Sequence, residues 1–126
     1  MELFLGIDTS CYTTSVALMD GNARLLADER RPLAVSAGKK GLSQSEMVFQ
    51  HVRALPDLLE KALVPLSPTF RLAAVAASDR PRPRPESYMP AFLAGAGSGR
   101  TAAAAAGALW HPVTHQEGHI LAGIWS

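Results

Sequence analysis

The sequence has little of what marks several broad classes of protein. Cys11 is the only cysteine, which excludes a disulfide within the chain. Lys and Arg (12) almost balance Asp and Glu (11), so the net charge of +1 gives no general attraction for nucleic acid or a membrane. No apolar run is long enough to span a bilayer, and the N-terminus lacks the basic region of a signal peptide. These absences predict a soluble, reduced, cytoplasmic protein that does not contact membranes.

What is present is the composition of an ordinary folded domain. The 126 residues are 48% hydrophobic, which is enough for one core, so we expect one domain or one lobe. The run Leu3 to Asp8 predicts a buried strand. The stretch TSVALMDGNARLLADERR predicts two more strands, joined by a tight turn at Asp20, Gly21 and Asn22. The first third of the chain is therefore predicted to be an antiparallel meander.

A loop rich in hydroxyl groups, DTSCYTTS, separates the first two predicted strands. Asp8, Thr9 and Ser10 could present backbone N–H groups and hydroxyls to a phosphate, with the carboxylate holding a magnesium-bound water. The same residues are also typical of a polar hairpin tip that makes only local hydrogen bonds. Cys11 could act as a nucleophile, but a single cysteine beside a strand is more often simply packed.

A helix is predicted to begin at Ser43, which has capping-box spacing to Glu46. Pro56 falls inside this helix and predicts a kink or a fresh start. His51 has no second ligand-type residue at helical spacing, which favours a surface or packing histidine. The face expected to pack carries Val48, Val52, Leu55, Leu59 and Ala62.

A central strand is predicted at Arg71 to Ser78, followed by DRPRPRPESYMP. Alternating Arg and Pro favour an extended, polyproline-like segment from which Arg80, Arg82 and Arg84 project. Three guanidinium groups held apart in this way suit phosphate or RNA contact, although a solvated connector fits equally well.

The segment AGAGSGRTAAAAAGAL, Ala94 to Leu109, approximates a phosphate-binding loop. Ala94 stands where that motif has its first glycine, and Arg100 stands where it has lysine. We therefore favour a flexible loop that opens an alanine-rich helix, in which the alanines let the helix lie close against a sheet.

The chain closes on a predicted strand, Leu109 to Thr114, and a helix capped by Thr114. His115 and His119 fall on one face of that helix and could bind one transition-metal ion, but two histidines leave a catalytic site one ligand short. Gln116 replaces the glutamate of the zincin motif, which argues against a protease site on the helix.

The motifs GIDTSCYTTSVAL and HQEGHI, in this order, resemble the tRNA threonylcarbamoyladenosine transferase family, once described as glycoproteases or O-sialoglycoprotein endopeptidases. The resemblance implies an α/β fold, the N-terminal lobe of the actin-like (sugar kinase and heat-shock chaperone) ATPase fold. That lobe has a mixed sheet with an antiparallel meander and flanking helices. Residues 1–126 would form this single lobe, with the C-terminal lobe absent.

The same resemblance implies that His115 and His119 bind a divalent metal, iron or zinc. Asp8, Thr9 and Ser10 would face the phosphates of ATP or an adenylate, with magnesium. The intact protein would be an acyltransferase that moves a threonylcarbamoyl group to a tRNA adenosine. The isolated chain would be inactive, because in the family a carboxylate of the C-terminal lobe completes the metal site.

Two departures from the main branch indicate a divergent paralogue. Tyr12 and Thr13 stand where that branch has two acids, and SDRPRPRPESYMP replaces a Gly-rich turn. Two other functions are also compatible with the sequence. One is a non-catalytic scaffold lobe that pairs with an ATPase-like partner subunit, as a dimer. The other is a metal-dependent peptidase.

Overall fold

A computed structural model describes residues 1–10, 12–38, 41–66, 69–80 and 90–114. Within those ranges, neither helix is both long enough and apolar enough to cross a lipid bilayer. The elements in chain order are β1 (Glu2–Asp8), β2 (Thr13–Asp20), β3 (Leu25–Pro32), α1 (Gln44–Leu63), β4 (Arg71–Arg80), α2 (Ala91–Ala106) and β5 (Leu109–Thr114).

The strands form one mixed sheet in the order β3-β2-β1-β4-β5. β1 and β2 pair antiparallel, as do β2 and β3, so the predicted meander is confirmed. β4 pairs parallel with β1 on one side and with β5 on the other, which makes it the interior strand that the sequence predicted. Because β1, β4 and β5 run parallel, their carboxyl ends meet at one edge of the sheet.

Both helices share one core with one face of the sheet. Side chains alternate between the two faces of a strand, so Leu5 and Ile7 of β1 point to the helices while Gly6 and Asp8 point away. We call the face opposite the helices the outer face. The core on the helix side contains Leu5, Ile7, Val16, Leu18, Leu55, Leu58, Ala62, Val75, Ala77, Ala94 and Ala103.

Helix α1 begins as predicted, with Ser43 Oγ accepting a hydrogen bond from Glu46 N at 3.2 Å. The predicted packing face is partly wrong, because Val52 is 52% exposed. The spacing of apolar residues predicted a packing face that is rotated about the helix axis from the face that is buried. The prediction of a fresh start at Pro56 is also wrong, since the helix continues through this exposed residue. The buried face comprises Met47, His51, Ala54, Leu55, Leu58 and Ala62.

His51 is a packing histidine rather than a surface one. Its side chain is fully buried on α1, and Nδ1 lies 2.7 Å from Thr14 Oγ1 of β2. Paired polar groups of this kind are tolerated in a core because the hydrogen bond replaces the one lost to water. The pair joins α1 to the sheet.

Helix α2 shows that the predicted flexible loop at residues 94–100 is wrong, because that stretch is helical. It is therefore not a phosphate-binding loop. Two of its glycines, Gly95 and Gly99, serve packing: a Cβ on Gly99 would lie 2.9 Å from Trp110 Cζ3 and 3.2 Å from Val75 Cγ1. The helix ends at Gly107, whose positive φ of 67° suits glycine. Small residues thus let α2 lie against β4 and β5, as expected for the alanines.

Strand β4 runs two residues beyond its predicted end, and this changes the position of Arg80. The prediction that Arg80 projects from a polyproline-like segment is wrong, because it is the last strand residue and pairs with Thr114. The first proline of that segment comes only after it. The guanidinium of Arg80 also binds Asp79 through two hydrogen bonds of 3.1 and 2.9 Å. Arg82 and Arg84 lie outside the described residues.

Candidate functional site

The carboxyl edge of the parallel strands brings together residues that are far apart in sequence. Ile7 pairs with Ala77, and Arg80 pairs with Thr114. The turn after β1, the end of β4 and the end of β5 are therefore neighbours. In open α/β sheets this edge is where ligands bind. His115 comes next in the sequence after Thr114, but both predicted metal ligands, His115 and His119, lie outside the described residues.

The turn that follows β1 is closed by its own aspartate. Asp8 Oδ1 accepts a hydrogen bond of 2.7 Å from Ser10 N. Such a bond is the local pattern expected of a polar hairpin tip, and it also fixes the backbone in one conformation. The predicted contact of Asp8, Thr9 and Ser10 with a phosphate stays a prediction.

Thr9 ties this turn to helix α2. Its side chain is fully buried, and Oγ1 donates to the Ala91 carbonyl at 2.8 Å and accepts from Gly95 N at 3.0 Å. Ala91 and Gly95 are the residues that an α-helix joins by its own backbone bond, so the hydroxyl bridges both groups of one helical turn. Because that hydroxyl is committed to the fold, any contact of Thr9 with a phosphate would use its backbone N–H.

A second set of polar residues lies beside Asp8 on the outer face, and the sequence did not reveal it. Asp8 pairs with Ser15, and Ser15 pairs with Arg30. The pairing of Ile7 with Ala77 puts Ser78 next to Asp8 on the other side. We call Arg30, Ser15, Asp8 and Ser78 the polar row. Alternating polar residues in β2 and β3 were a signal for it, but only the strand register aligns them.

The polar row lines a cavity of about 340 Å³ on the outer face, which we call the outer groove. Three small residues, Gly6, Ala17 and Ala76, line it beside the row, together with Asp28 of β3. Absence of large side chains at these three positions leaves space above the sheet. The groove extends from the turn after β1 along the strands.

The charged member of the polar row is held by a neighbour. Arg30 Nε and Nη2 donate to the two oxygens of Asp28 at 3.0 and 3.1 Å. The hydrogen bonds and the charge of Asp28 raise the pKa of Arg30, so the guanidinium stays charged. Both side chains are largely open to solvent, so the pair adds little to stability.

No metal centre is complete within the described ranges, where no three His, Cys, Asp or Glu side chains come close enough to hold an ion. Asp8 and Asp79 are the carboxylates that the described residues place near this edge. Metal binding by His115 and His119 therefore stays a prediction.

Comparison with known proteins identifies relatives along nearly the whole chain. No family model matches the sequence. The tRNA N6-adenosine threonylcarbamoyltransferase of Rhizobium leguminosarum bv. trifolii (strain WSM2304) is 33% identical over 123 residues, covering 93% of this chain and 32% of that protein. The protein of the same name from Granulibacter bethesdensis (strain ATCC BAA-1260 / CGDNIH1) is 31% identical over 122 residues, covering 95% and 32%. Along nearly all of its length the chain is therefore similar to these transferases, and the resemblance that its motifs predicted is confirmed.

The chain thus spans about a third of the length of the curated relatives it matches. Among solved structures it resembles YeaZ from Pseudomonas aeruginosa, with a TM-score of 0.57 and 18% identity over 90% of this chain and 43% of that one. That likeness shows the fold alone. The predicted actin-like ATPase fold, with a mixed sheet and flanking helices, is confirmed.

Proposed function

We propose that this chain is the N-terminal lobe of a metal-dependent, nucleotide-binding enzyme that transfers a threonylcarbamoyl group to a tRNA adenosine in the cytoplasm. The observation that carries the proposal is the identity of 33% and 31%, along nearly all of the chain, with two proteins named for that activity. The fold is compatible with the proposal but hosts many functions, so it does not decide between them.

In this proposal the turn from Asp8 to Ser10 faces the phosphates of ATP or an adenylate, with magnesium. Its support is the position of the turn at the carboxyl edge and the two bonds by which Thr9 fixes it. A preformed turn can bind a phosphate through the Thr9 N–H without having to be ordered on binding, whereas the Ser10 N–H already donates to Asp8.

The proposed metal ligands are His115 and His119, for iron or zinc. The supporting observation is that Thr114, which precedes His115 in the sequence, ends β5 at the same edge of the sheet as Asp8. A metal bound there would supply a Lewis acid for the transferred group. In this proposal the carboxylate that completes the metal site comes from a C-terminal lobe of a longer protein, because the curated relatives are about three times as long as this chain.

Arg80, at the end of β4, and Arg82 and Arg84, which follow it in the sequence, are proposed to contact tRNA phosphates. Asp79 already binds Arg80 and neutralises much of its charge, so the proposal assigns more of this contact to Arg82 and Arg84. Arginine matches phosphate oxygens with two parallel hydrogen bonds. Binding through them would weaken as salt concentration rises.

Nucleotide binding tests the proposal on the chain itself. Titration of the 15N-labelled chain with ATP and magnesium should shift the amide signals of Thr9 and Ser10. A parallel titration with zinc should be weakened in His115→Ala. The nucleotide assignment is wrong if saturating ATP leaves the Asp8 to Ser10 amides unmoved, and the metal assignment is wrong if the histidine variant binds zinc as the native chain does.

A second candidate, the scaffold lobe, is favoured by apolar side chains exposed on both helices. Phe49 is 54% exposed, Val52 is 52% exposed and Leu93 is 52% exposed. Exposed apolar residues of this size suit a partner subunit or a second copy of the chain. Sedimentation at high protein concentration should then reveal a dimer, and a monomer at every concentration would count against self-association.

A further inference from the structure

The start of helix α2 is held by a side chain that comes from the other helix. The first N–H groups of an α-helix have no partner within the helix, and a capping side chain usually provides one. Pro90, at the cap position of α2, has no side-chain group that can accept a hydrogen bond. Ala91 N instead donates to Gln44 Oε1 of α1 at 3.1 Å. Because Ala91 is fully buried, leaving this N–H without a partner would be unfavourable.

Ala91 links Gln44 to the proposed phosphate turn. The two polar groups of its backbone bind two different elements. Its N–H binds Gln44 of α1, and its carbonyl accepts the hydrogen bond of 2.8 Å from Thr9 Oγ1. The same oxygen of Thr9 accepts from Gly95 N, one helical turn further along α2. A displacement of the first turn of α2 therefore moves both groups that hold the Thr9 side chain.

Gln44 is well placed to act as a support. It is the first residue of α1 and directly follows Ser43, whose Oγ accepts the capping hydrogen bond from Glu46 N. The side chain therefore extends from a capped helix end. Groups on helices and strands hold a site more accurately than groups on loops.

We infer that Gln44 is a positioning residue of the nucleotide site, which acts on the turn from Asp8 to Ser10 through Ala91 and Thr9. The inference rests on the proposed function, because it concerns the same turn. The role needs no contact between Gln44 and the nucleotide. Gln44 keeps the Thr9 N–H in place before a phosphate arrives, so that binding does not have to order the turn.

The test is the affinity of the 126-residue chain for ATP with magnesium, measured by NMR titration. Gln44→Met keeps the length of the side chain but has no oxygen for Ala91 N, and it should bind ATP about 3- to 10-fold more weakly than the native chain. Gln44→Glu keeps an accepting oxygen. It should therefore bind ATP more tightly than Gln44→Met does.

Hydrogen exchange without ATP gives a second readout of the same support. The amides of Gly95 and Ser10, which donate to Thr9 and Asp8, should exchange about 3- to 10-fold faster in Gln44→Met. In Gln44→Glu their exchange should stay close to that of the native chain. A residue that stabilised α1 alone would not change exchange at these two amides selectively.

Gln50→Met is the matched control, because Gln50 lies in the same helix and also holds a backbone segment from elsewhere. Its Oε1 accepts from Ala34 N at 2.7 Å, and its Nε2 donates to the Ala34 carbonyl at 2.8 Å. Ala34 follows β3 and is not part of α2. This variant should lose stability in urea but bind ATP, and exchange the Gly95 amide, like the native chain.

The inference is overturned if Gln44→Met binds ATP as the native chain does, or if Gln50→Met weakens ATP binding equally. Either result leaves the nucleotide site of the proposed function intact and makes Gln44 a structural residue only. Failure of the proposed function looks different, because ATP then does not bind the native chain. In that case the nucleotide assignment is wrong, and the positioning role of Gln44 is rejected with it.

Discussion

Thr9 and Gly95 fit one another at the junction of the β1 turn and helix α2. Thr9 Oγ1 accepts a hydrogen bond from Gly95 N at 3.0 Å, and a Cβ on Gly95 would lie only 2.8 Å from that oxygen. The same Cβ would lie 3.0 Å from Ile7 Cγ2 in the core strand β1. The position of the proposed phosphate turn therefore depends on the absence of one side chain in α2.

Gly95→Ala should destabilise the fold by about 1–3 kcal/mol, because the added Cβ would crowd Thr9 and Ile7, both of which are buried. The matched control is Gly97→Ala in the same helix, where a Cβ meets nothing within 4 Å. That change should stabilise the chain by up to about 1 kcal/mol through helix propensity. Urea unfolding measures both, and equal effects of the two substitutions would refute the close fit.

Thr9→Val should cost about 1–3 kcal/mol, because it replaces a buried hydroxyl that makes two hydrogen bonds with a methyl group. Thr9→Ser keeps the hydroxyl and should stay closer to the native stability. Hydrogen exchange at the Gly95 amide is a second readout and should accelerate only in the valine variant. If the serine variant loses more stability than the valine variant, the methyl group and not the hydroxyl holds the turn.

Ser78→Ala should leave the free energy of unfolding of the ligand-free chain unchanged or raise it by about 1 kcal/mol, since it removes a buried hydroxyl without a described partner. Thr14→Val provides the contrast, because it deprives buried His51 of its 2.7 Å bond and should cost about 1–3 kcal/mol. Thermal unfolding of both variants checks this. A clear loss of stability in Ser78→Ala would mean that its hydroxyl has a structural role.

Asp20→Asn should lower Tm at pH 7, and the decrease in Tm should be smaller at acidic pH. The pKa of Asp20 lies below its usual 3.8, mainly because its carboxylate accepts a hydrogen bond from the backbone N–H of Arg24. The backbone N–H of Asn22 and the charge of Arg24 lower this pKa further. A carboxyl group with a lowered pKa stabilises the fold above that usual value, and this contribution is lost as pH falls through the folded-state pKa. The Tm difference should therefore narrow below pH 3.8.

Asp57→Asn is the control for that series, because Asp57 lies within helix α1 and forms an exposed ion pair with Arg31. It should change Tm less than Asp20→Asn does at pH 7. A constant Tm difference for Asp20→Asn at every pH would show that the turn needs the side-chain shape and not its charge.

Sequence reasoning recovered the strands because their signals are local. Alternation and turn residues were enough for β1 to β3, and apolar runs were enough for β4 and β5. The phase of α1 was partly missed, because Val52 is apolar but lies on the solvent side. The glycines of α2 favoured a loop in the sequence, since the close packing of Gly99 against Val75 and Trp110 belongs to the tertiary structure.

The candidate site was harder to predict from the sequence than the fold. The turn from Asp8 to Ser10 was found from its composition and its place after a strand, but the buried position of Thr9 was not. The polar row depends on register, because Ser15 and Arg30 come next to Asp8 only through pairing across three strands. The spacing of residues along the sequence does not reveal which residues of neighbouring strands pair.

Transfer of the threonylcarbamoyl group tests the central claim most directly. The natural protein that contains these residues should be incubated with threonylcarbamoyl adenylate and unmodified tRNA, and the tRNA nucleosides analysed by mass. We predict a threonylcarbamoyl-modified adenosine that is lost in His119→Ala. Unmodified adenosine, under conditions in which the Rhizobium leguminosarum transferase modifies the same tRNA, would contradict the proposed function.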